Sequence, residues 1–249
     1  MSSISQKNNP ISPRVATVQS YKTAFMQRIA DHVRLGYNHW TSGTITAERA
    51  PALARKFHQR YGICLTRHQK AYGRSKGEAS AVLIMREAEP GQLQWMLMLT
   101  PGENLAHDLE KLKDATTAAG RIVVTGYELV QLPRRGSERA AWTWRMPADT
   151  YEAWRERILR SARRHPDSLT RELAELARTP GFSGCRGQVR KLLQLARAEA
   201  RRRLGSAATT VSHPTRIGYV QRLSQSGTPL SVWIRQQRAA ASSDVTTQL

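Results

Sequence analysis

The apolar side chains of this sequence change period along the chain, and that change limits the fold more than any other feature. Near the start Tyr21, Phe25, Ile29 and Val33 recur at every fourth position, which predicts an amphipathic helix over 18–35 ended at Gly36. Leu53, Phe57 and Tyr61 repeat the pattern over 47–61, with Thr46 as N-cap and Pro51 near the first turn. The middle is different. Residues 79–86 and 93–99 are β-rich runs joined through Pro90-Gly91, and after a helical stretch over 104–116, residues 121–132 and 140–146 flank a turn at 133–137. Two hairpins of this kind predict an α+β fold: N-terminal helices, a four-stranded antiparallel sheet with helices on one side, and helices again towards the C-terminus. Trp142, Trp144 and Met146 alternate with Thr143 and Arg145, so both tryptophans read as core plugs. Tyr127 and Trp95 are then the remaining candidates in the sheet for stacking on bases.

Beyond 147 the helical period returns in a three-helix region rich in basic residues. The first helix carries Tyr151, Trp154, Ile158 and Ala162 inwards. The second, capped at Asp167 or Ser168, carries Leu169, Leu173 and Leu176, and the third, over 184–204, carries Val189, Leu192, Leu193 and Ala196. The expected domains are a flexible arm over 1–15, an α+β domain over 16–146, a basic helical region over 147–205 packed on it, and a largely disordered tail over 206–249. That tail is rich in Ser, Thr, Ala and Gln, with Tyr219, Leu223 and Trp233 isolated in it, and is a candidate to order on a protein partner. The first thirteen residues lack the apolar core of a secretory signal, and the longest unbroken apolar runs are short of a membrane span. The expected location is the cytoplasm, away from the membrane.

Charge supplies the functional expectation. Lys and Arg number 39 against 19 Asp and Glu, a net charge of +20, which a polyanionic partner would offset. Nucleic acid, with DNA first, is the expected partner class, and no cofactor is implied. The excess is concentrated: residues 151–205 hold 14 basic and 6 acidic side chains. In the third helix Arg186, Arg190, Arg197 and Arg201, with Gln194 between them, fall on one stripe at spacings of 4, 7 and 4, the arrangement for laying guanidinium groups along a phosphate backbone. A second candidate is the Gly-containing segment 67–77, read as a phosphate-gripping loop with Arg67, Lys70, Arg74 and Lys76 beside Tyr72. Arg outnumbers Lys 31 to 8. A GC-rich genome produces that bias without any partner, while the planar fork of arginine also suits phosphate and guanine. The five residues 179–183 exceed the usual helix-turn-helix turn, so the second and third helices read as a plain hairpin, with a major-groove reader as the alternative.

Enzyme signatures are sparse. The sequence has no His-x-His pair and no Gly-x4-Gly-Lys-Ser/Thr loop, and Cys64 and Cys185 are too few and too distant for a zinc finger or a disulfide framework. Glu87, Glu89, Asp108, Glu110 and Asp114 are the carboxylates a metal-dependent nuclease would need, and they read as turn and helix-surface charge. Arg34 with His39 and Arg160 with His165 match a metal-free ribonuclease spacing, but about two to three such pairs arise by chance in this composition.

The stretches at 36–43, 51–57, 127–130 and 142–146 (GYNHWTSG, PALARKF, YELV and WTWRM) together resemble uncharacterised basic proteins of proteobacterial plasmids and integrative conjugative elements, over residues 20–205. The resemblance implies a bacterial cytoplasm and a part in replicating, maintaining or transferring a mobile element. It carries no catalytic residues. The expectation is a DNA-binding accessory protein, with a nuclease or other nucleic-acid-processing enzyme, an RNA-binding protein and a purely protein-binding role as the alternatives.

Overall fold

The computed structural model describes residues 16–134, 136–214, 217–223 and 227–246, and the arm expected over 1–15 lies outside them. The chain divides into two compact units, the first running to Ala119 and resuming at Leu223, the second being Gly120–Arg222. The first unit contains β1 (Thr17–Gln19), α1 (Lys22–Arg34), β2 (His39–Thr46), α2 (Ala50–Tyr61), α3 (Arg67–Ser75), β3 (Ala81–Glu89), β4 (Gln92–Leu99), α4 (Leu105–Leu109) and β5 (Lys113–Asp114). The second contains β6 (Val123–Val124), β7 (Tyr127–Arg134), β8 (Ser137–Arg145), α5 (Ala148–Ala162), α6 (Pro166–Leu176), α7 (Ser183–Leu204) and a 3-10 turn over Gly205–Thr210. The chain then returns to the first unit as β9 (Thr228–Pro229) and α8 (Leu230–Thr246).

The class is mixed α+β, but the four expected strands do not share a sheet. The β3–β4 hairpin lies in a six-stranded mixed sheet of order β5-β2-β4-β3-β1-β9, in which β1 runs parallel to β3. The β7–β8 hairpin lies in a three-stranded antiparallel sheet with β6. Helices cover both faces of the larger sheet, which corrects the one-sided expectation. Ala81, Leu83, Met85, Leu97 and Leu99 pack with Phe57 and Tyr61 of α2 and with Leu230 and Trp233 of α8. On the alternate positions Ile84, Met96 and Met98 are buried as well, and α1 packs against β3. A strand enclosed on both faces needs a continuous apolar run, and that is how 81–85 and 95–99 read.

Two expected boundaries move. The break between units falls near 119 instead of 146, because β8 belongs with the C-terminal helices. Cys185 Sγ lies 3.3 Å from the Trp144 carbonyl oxygen, and Gln188 pairs in both directions with the backbone of Met146, at 2.7 and 2.9 Å. The tail read as disordered over 206–249 is structured in part: β9 pairs with β1, and α8 places Trp233 in the first unit's core. The return is anchored where Leu223 exchanges hydrogen bonds with the side chains of Arg28 and Gln27 of α1, at 3.3 and 3.2 Å. The stretch expected to be helical over 104–116 shortens to α4 followed by β5.

In the second unit Ile158, Ala162, Leu169, Leu173, Leu176, Val189, Leu192, Leu193, Ala196 and Ala200 form one core between α5, α6 and α7. Beneath it Glu128 of β7, 7% exposed, is flanked by Arg121 at 2.8 Å and by Arg145, its cross-strand partner, at 2.6 Å.

Two predictions follow from this packing. His32 of α1 lies edge-on to Tyr37, and burial, reinforced by the Lys70 charge, lowers its pKa to about 4. The unfolded chain therefore takes up this proton first as pH falls below about 6.5, and folding stability declines until the folded imidazole itself titrates. Between pH 7.5 and 4.5, urea unfolding of the wild type should lose about 2–3 kcal/mol more than that of His32→Gln; equal losses would remove His32 as the cause. The two early glycines of α7 should behave oppositely. A Cβ at Gly184 would stand 2.5 Å from the Trp144 carbonyl oxygen, whereas one at Gly187 meets nothing within 4 Å. Thermal melts should show Gly184→Ala destabilised by about 1–3 kcal/mol and Gly187→Ala stabilised by up to about 1 kcal/mol.

Candidate nucleic-acid interface

Helix α7 is 22 residues long, about 33 Å at the usual rise, and its first turn is stitched to β8. Ser183 Oγ donates to Thr143 Oγ1 at 2.8 Å, and the Gly184 N–H donates to the same oxygen at 3.2 Å. Gly184, Cys185, Val189, Leu192, Leu193 and Ala196 are buried, and alongside this apolar stripe the helix carries Ser183, Arg186, Gly187, Arg190, Gln194 and Arg197. These six, with Ile217 and with Val189 and Leu193 as an apolar floor, line a groove of about 350 Å³. Four of the five polar residues singled out on this helix are therefore brought together. Arg201, one turn beyond Arg197, is exposed but does not line the groove.

The groove's other wall is a feature that periodicity missed. Residues 217–222 run past the start of α7, and the Val220 N–H donates to the Gly181 carbonyl oxygen at 3.1 Å. Gly181 leaves no room for a Cβ against the Gly218 carbonyl, so this strap lies tight on the turn before α7. Arg186 is held twice from it. Its Nε donates to the Ile217 carbonyl at 3.1 Å, and its guanidinium lies 3.4 Å from the centroid of the Tyr219 ring. The guanidinium plane is thereby fixed while its two terminal nitrogens have no protein partner among the described residues. The signal for Tyr219 in the sequence was only an isolated aromatic in a polar stretch.

The electrostatics follow from where the carboxylates are. Glu128 is taken by Arg121 and Arg145, Glu172 and Glu175 by Arg157, and Glu199 by Arg202 and Arg203. Among the described residues no carboxylate lines the groove, and Arg190 and Arg197 have no ion-pair partner. Burial, followed by the Arg197 guanidinium, holds the His213 imidazole below its ordinary pKa. Guanidinium groups alone thus supply the groove's positive charge near neutral pH.

The second candidate set does not form a loop. Residues 67–75 are helix α3, started by a capping box in which Thr66 Oγ1 accepts from the Gln69 N–H at 3.3 Å and Gln69 Oε1 accepts from the Thr66 N–H at 2.9 Å. Lys70 turns inward and donates to the carbonyls of Ala81 and Ile63 at 2.8 and 3.3 Å, and burial lowers its pKa. It is a structural tie. Arg74 donates to Ser80 Oγ at 3.0 Å, and Lys76 lies 4.5 Å from the centroid of Tyr72. Arg67 is exposed.

Most of the remaining candidates are occupied in the structure, while Glu89 and Asp108 are exposed. Trp144 is fully buried, Tyr127 packs against the second unit's core, and Trp95 lies over Gly43 and against Phe57, so none of the three offers a free ring face of the kind a base platform needs. Glu110 accepts from the Tyr61 hydroxyl at 2.5 Å, Asp114 from Thr116 at 2.8 and 2.7 Å, and Glu87 from the Gly91 N–H at 3.3 Å. Of the ribonuclease-like pairs, Arg34 joins Asp31 and His165 caps α6. Among the described residues no three His, Cys, Asp or Glu side chains converge as a metal site would require, and no helix is long and apolar enough to cross a membrane. No family model, no curated protein and no solved structure matches the chain.

Proposed function

We propose that this chain is a nucleic-acid-binding protein that holds the sugar-phosphate backbone in the α7 groove, as a DNA-binding accessory factor in the replication, maintenance or transfer of a bacterial mobile element. The observation that carries the reading is the separation of charge in the second unit. Its described carboxylates are largely spent on arginines elsewhere, while Arg186, Arg190 and Arg197 converge on one groove with no acid among its lining residues. A composition bias towards arginine would raise charge everywhere and would not clear one face of acids. From Arg186 to Arg197 the helix advances about 16 Å, long enough for its guanidinium groups to meet successive phosphates of one strand. Gln194 adds a neutral donor and acceptor between the cations. The mobile-element setting rests on the sequence resemblance.

The fit to an entering recognition helix is poor. In that mode the first turn of the helix reaches the base edges, whereas here the first turn is tied to β8 and flanked by the strap. Backbone contact is the mode that the exposed guanidinium groups support.

Fluorescence anisotropy with a labelled oligonucleotide over a salt series tests the reading. Arg190→Gln with Arg197→Gln should lower the slope of log K against log salt by about two units. Lys70→Gln should leave that slope unchanged and lower stability by about 1–3 kcal/mol, because a half-buried ammonium that ties two carbonyls is lost. An unchanged slope in the double variant, or no salt-sensitive binding by the wild type, would contradict the reading.

A further inference from the structure

We infer that the groove is built for a single-stranded polynucleotide, with Tyr219 as the surface on which an unpaired base stacks. The inference rests on the reading of α7 as a phosphate-binding face and adds the form of the polymer.

Three observations lead to it. Tyr219 is 75% exposed, unusual for an aromatic ring in a segment otherwise docked on its own unit. One face carries the Arg186 guanidinium at 3.4 Å, the distance of a parallel stack, and with the residue 75% exposed the other face has no ring or cation partner among the described residues. A solvent-facing ring backed by a cation is a platform any base can use, because every base presents a π-face and the interaction needs no particular hydrogen-bond pattern.

The second observation is the closeness of charge and ring. Arg186 lines the groove with Arg190 and Arg197 and at the same time stacks on Tyr219, so a strand with phosphates along α7 passes the tyrosine. In a duplex the bases are paired and stacked on one another, and the ring would have only a backbone to meet. In a single strand one base can swing out onto it.

The third is the groove's own shape. The strap 217–222, fixed by the Val220–Gly181 hydrogen bond and the close approach of Gly218 to Gly181, stands beside the N-terminal half of the guanidinium stripe. A groove of about 350 Å³ between a helix and such a wall has room for about one nucleotide of a single strand and is too small to admit a duplex. DNA and RNA single strands share this chemistry, and the choice between them is left to the experiment.

The full chain is titrated with fluorescein-labelled oligothymidylate, with oligouridylate, and with a blunt duplex of equal length, at one moderate salt concentration and over a salt series. The wild type should bind at least one single strand about tenfold or more tightly than the duplex. Tyr219→Ala should weaken single-strand binding by about 5- to 100-fold, the range for loss of one stacked base, with little change in the salt slope. Tyr219→Phe should bind like the wild type, and all three proteins should melt alike because the ring is exposed. The inference is overturned if the duplex binds as tightly as both single strands, or if Tyr219→Ala binds single strands like the wild type. In either case a lowered salt slope in the Arg190→Gln, Arg197→Gln variant would still support the phosphate-binding face, so the two failures are distinguishable. A better affinity for oligouridylate would assign the groove to RNA, and a better one for oligothymidylate to DNA.

Discussion

The buried side of α7, from Gly184 and Cys185 through Val189, Leu192 and Leu193 to Ala196 and Ala200, determines which way everything else on that helix faces. Burying side chains of the size of Val or Leu contributes about 1.5–3 kcal/mol each, so the helix cannot roll about its axis without exposing several of them. The first turn adds a second lock, since Thr143 Oγ1 accepts from both Ser183 and Gly184 and the Trp144 carbonyl oxygen fills the space a Cβ at Gly184 would need. Arg186, Arg190, Gln194 and Arg197 are outward because their neighbours are inward. The proposed contact face is thus a consequence of core packing, and it would be preorganised before any polymer arrives.

Charge on that face is not offset from within. Each described ion pair of the second unit draws a carboxylate to a cation that does not line the groove, an arginine in every case but His165 with Asp167, and the buried carboxylates Glu128 and Glu199 also serve the fold, one joining β7 to β8 and the other closing the last turns of α7. Guanidinium groups left without carboxylates repel one another at close range, a cost relieved when phosphates occupy the groove. The strap contributes differently. By fixing Arg186 through a backbone carbonyl and an aromatic ring it reduces the side-chain entropy lost on binding, and it brings Tyr219 to the same edge.

Local periodicity makes α1, α2, α5, α6, α7 and both hairpins legible in the sequence, whereas α3 reads as a loop and α8 as part of a polar tail. The four-residue spacing of Tyr21, Phe25, Ile29 and Val33 and the arginine stripe of α7 each describe one face of one helix, which is a property of neighbours in sequence. Membership of a sheet is not. The β3–β4 and β7–β8 hairpins look alike as sequence, and their separation into two sheets depends on β2, β1 and β9, none of which has a strong signal. β2 reads as polar and Gly-containing because Gly43 sits opposite Trp95, whose ring takes the space of the missing side chain. β1 and β9 are three and two residues long and are strands only because they pair with each other and with β3. The same reasoning applies to the site. Arg186, Arg190, Gln194 and Arg197 could be read from spacing, whereas Ile217 and Tyr219 join them through a chain reversal that leaves no periodic trace, and Lys70 could not be told from a surface cation until its two carbonyl partners were seen.

The most direct test of the central claim is arginine footprinting of the full chain with a dicarbonyl reagent, read by mass spectrometry with and without a bound oligonucleotide. The account predicts that Arg190 and Arg197 react in the free protein and lose reactivity in the complex, while Arg67 of α3 and Arg235 of α8, both exposed, react equally in both. Unchanged reactivity at Arg190 and Arg197 in a complex that has formed would place the polymer elsewhere and contradict the account.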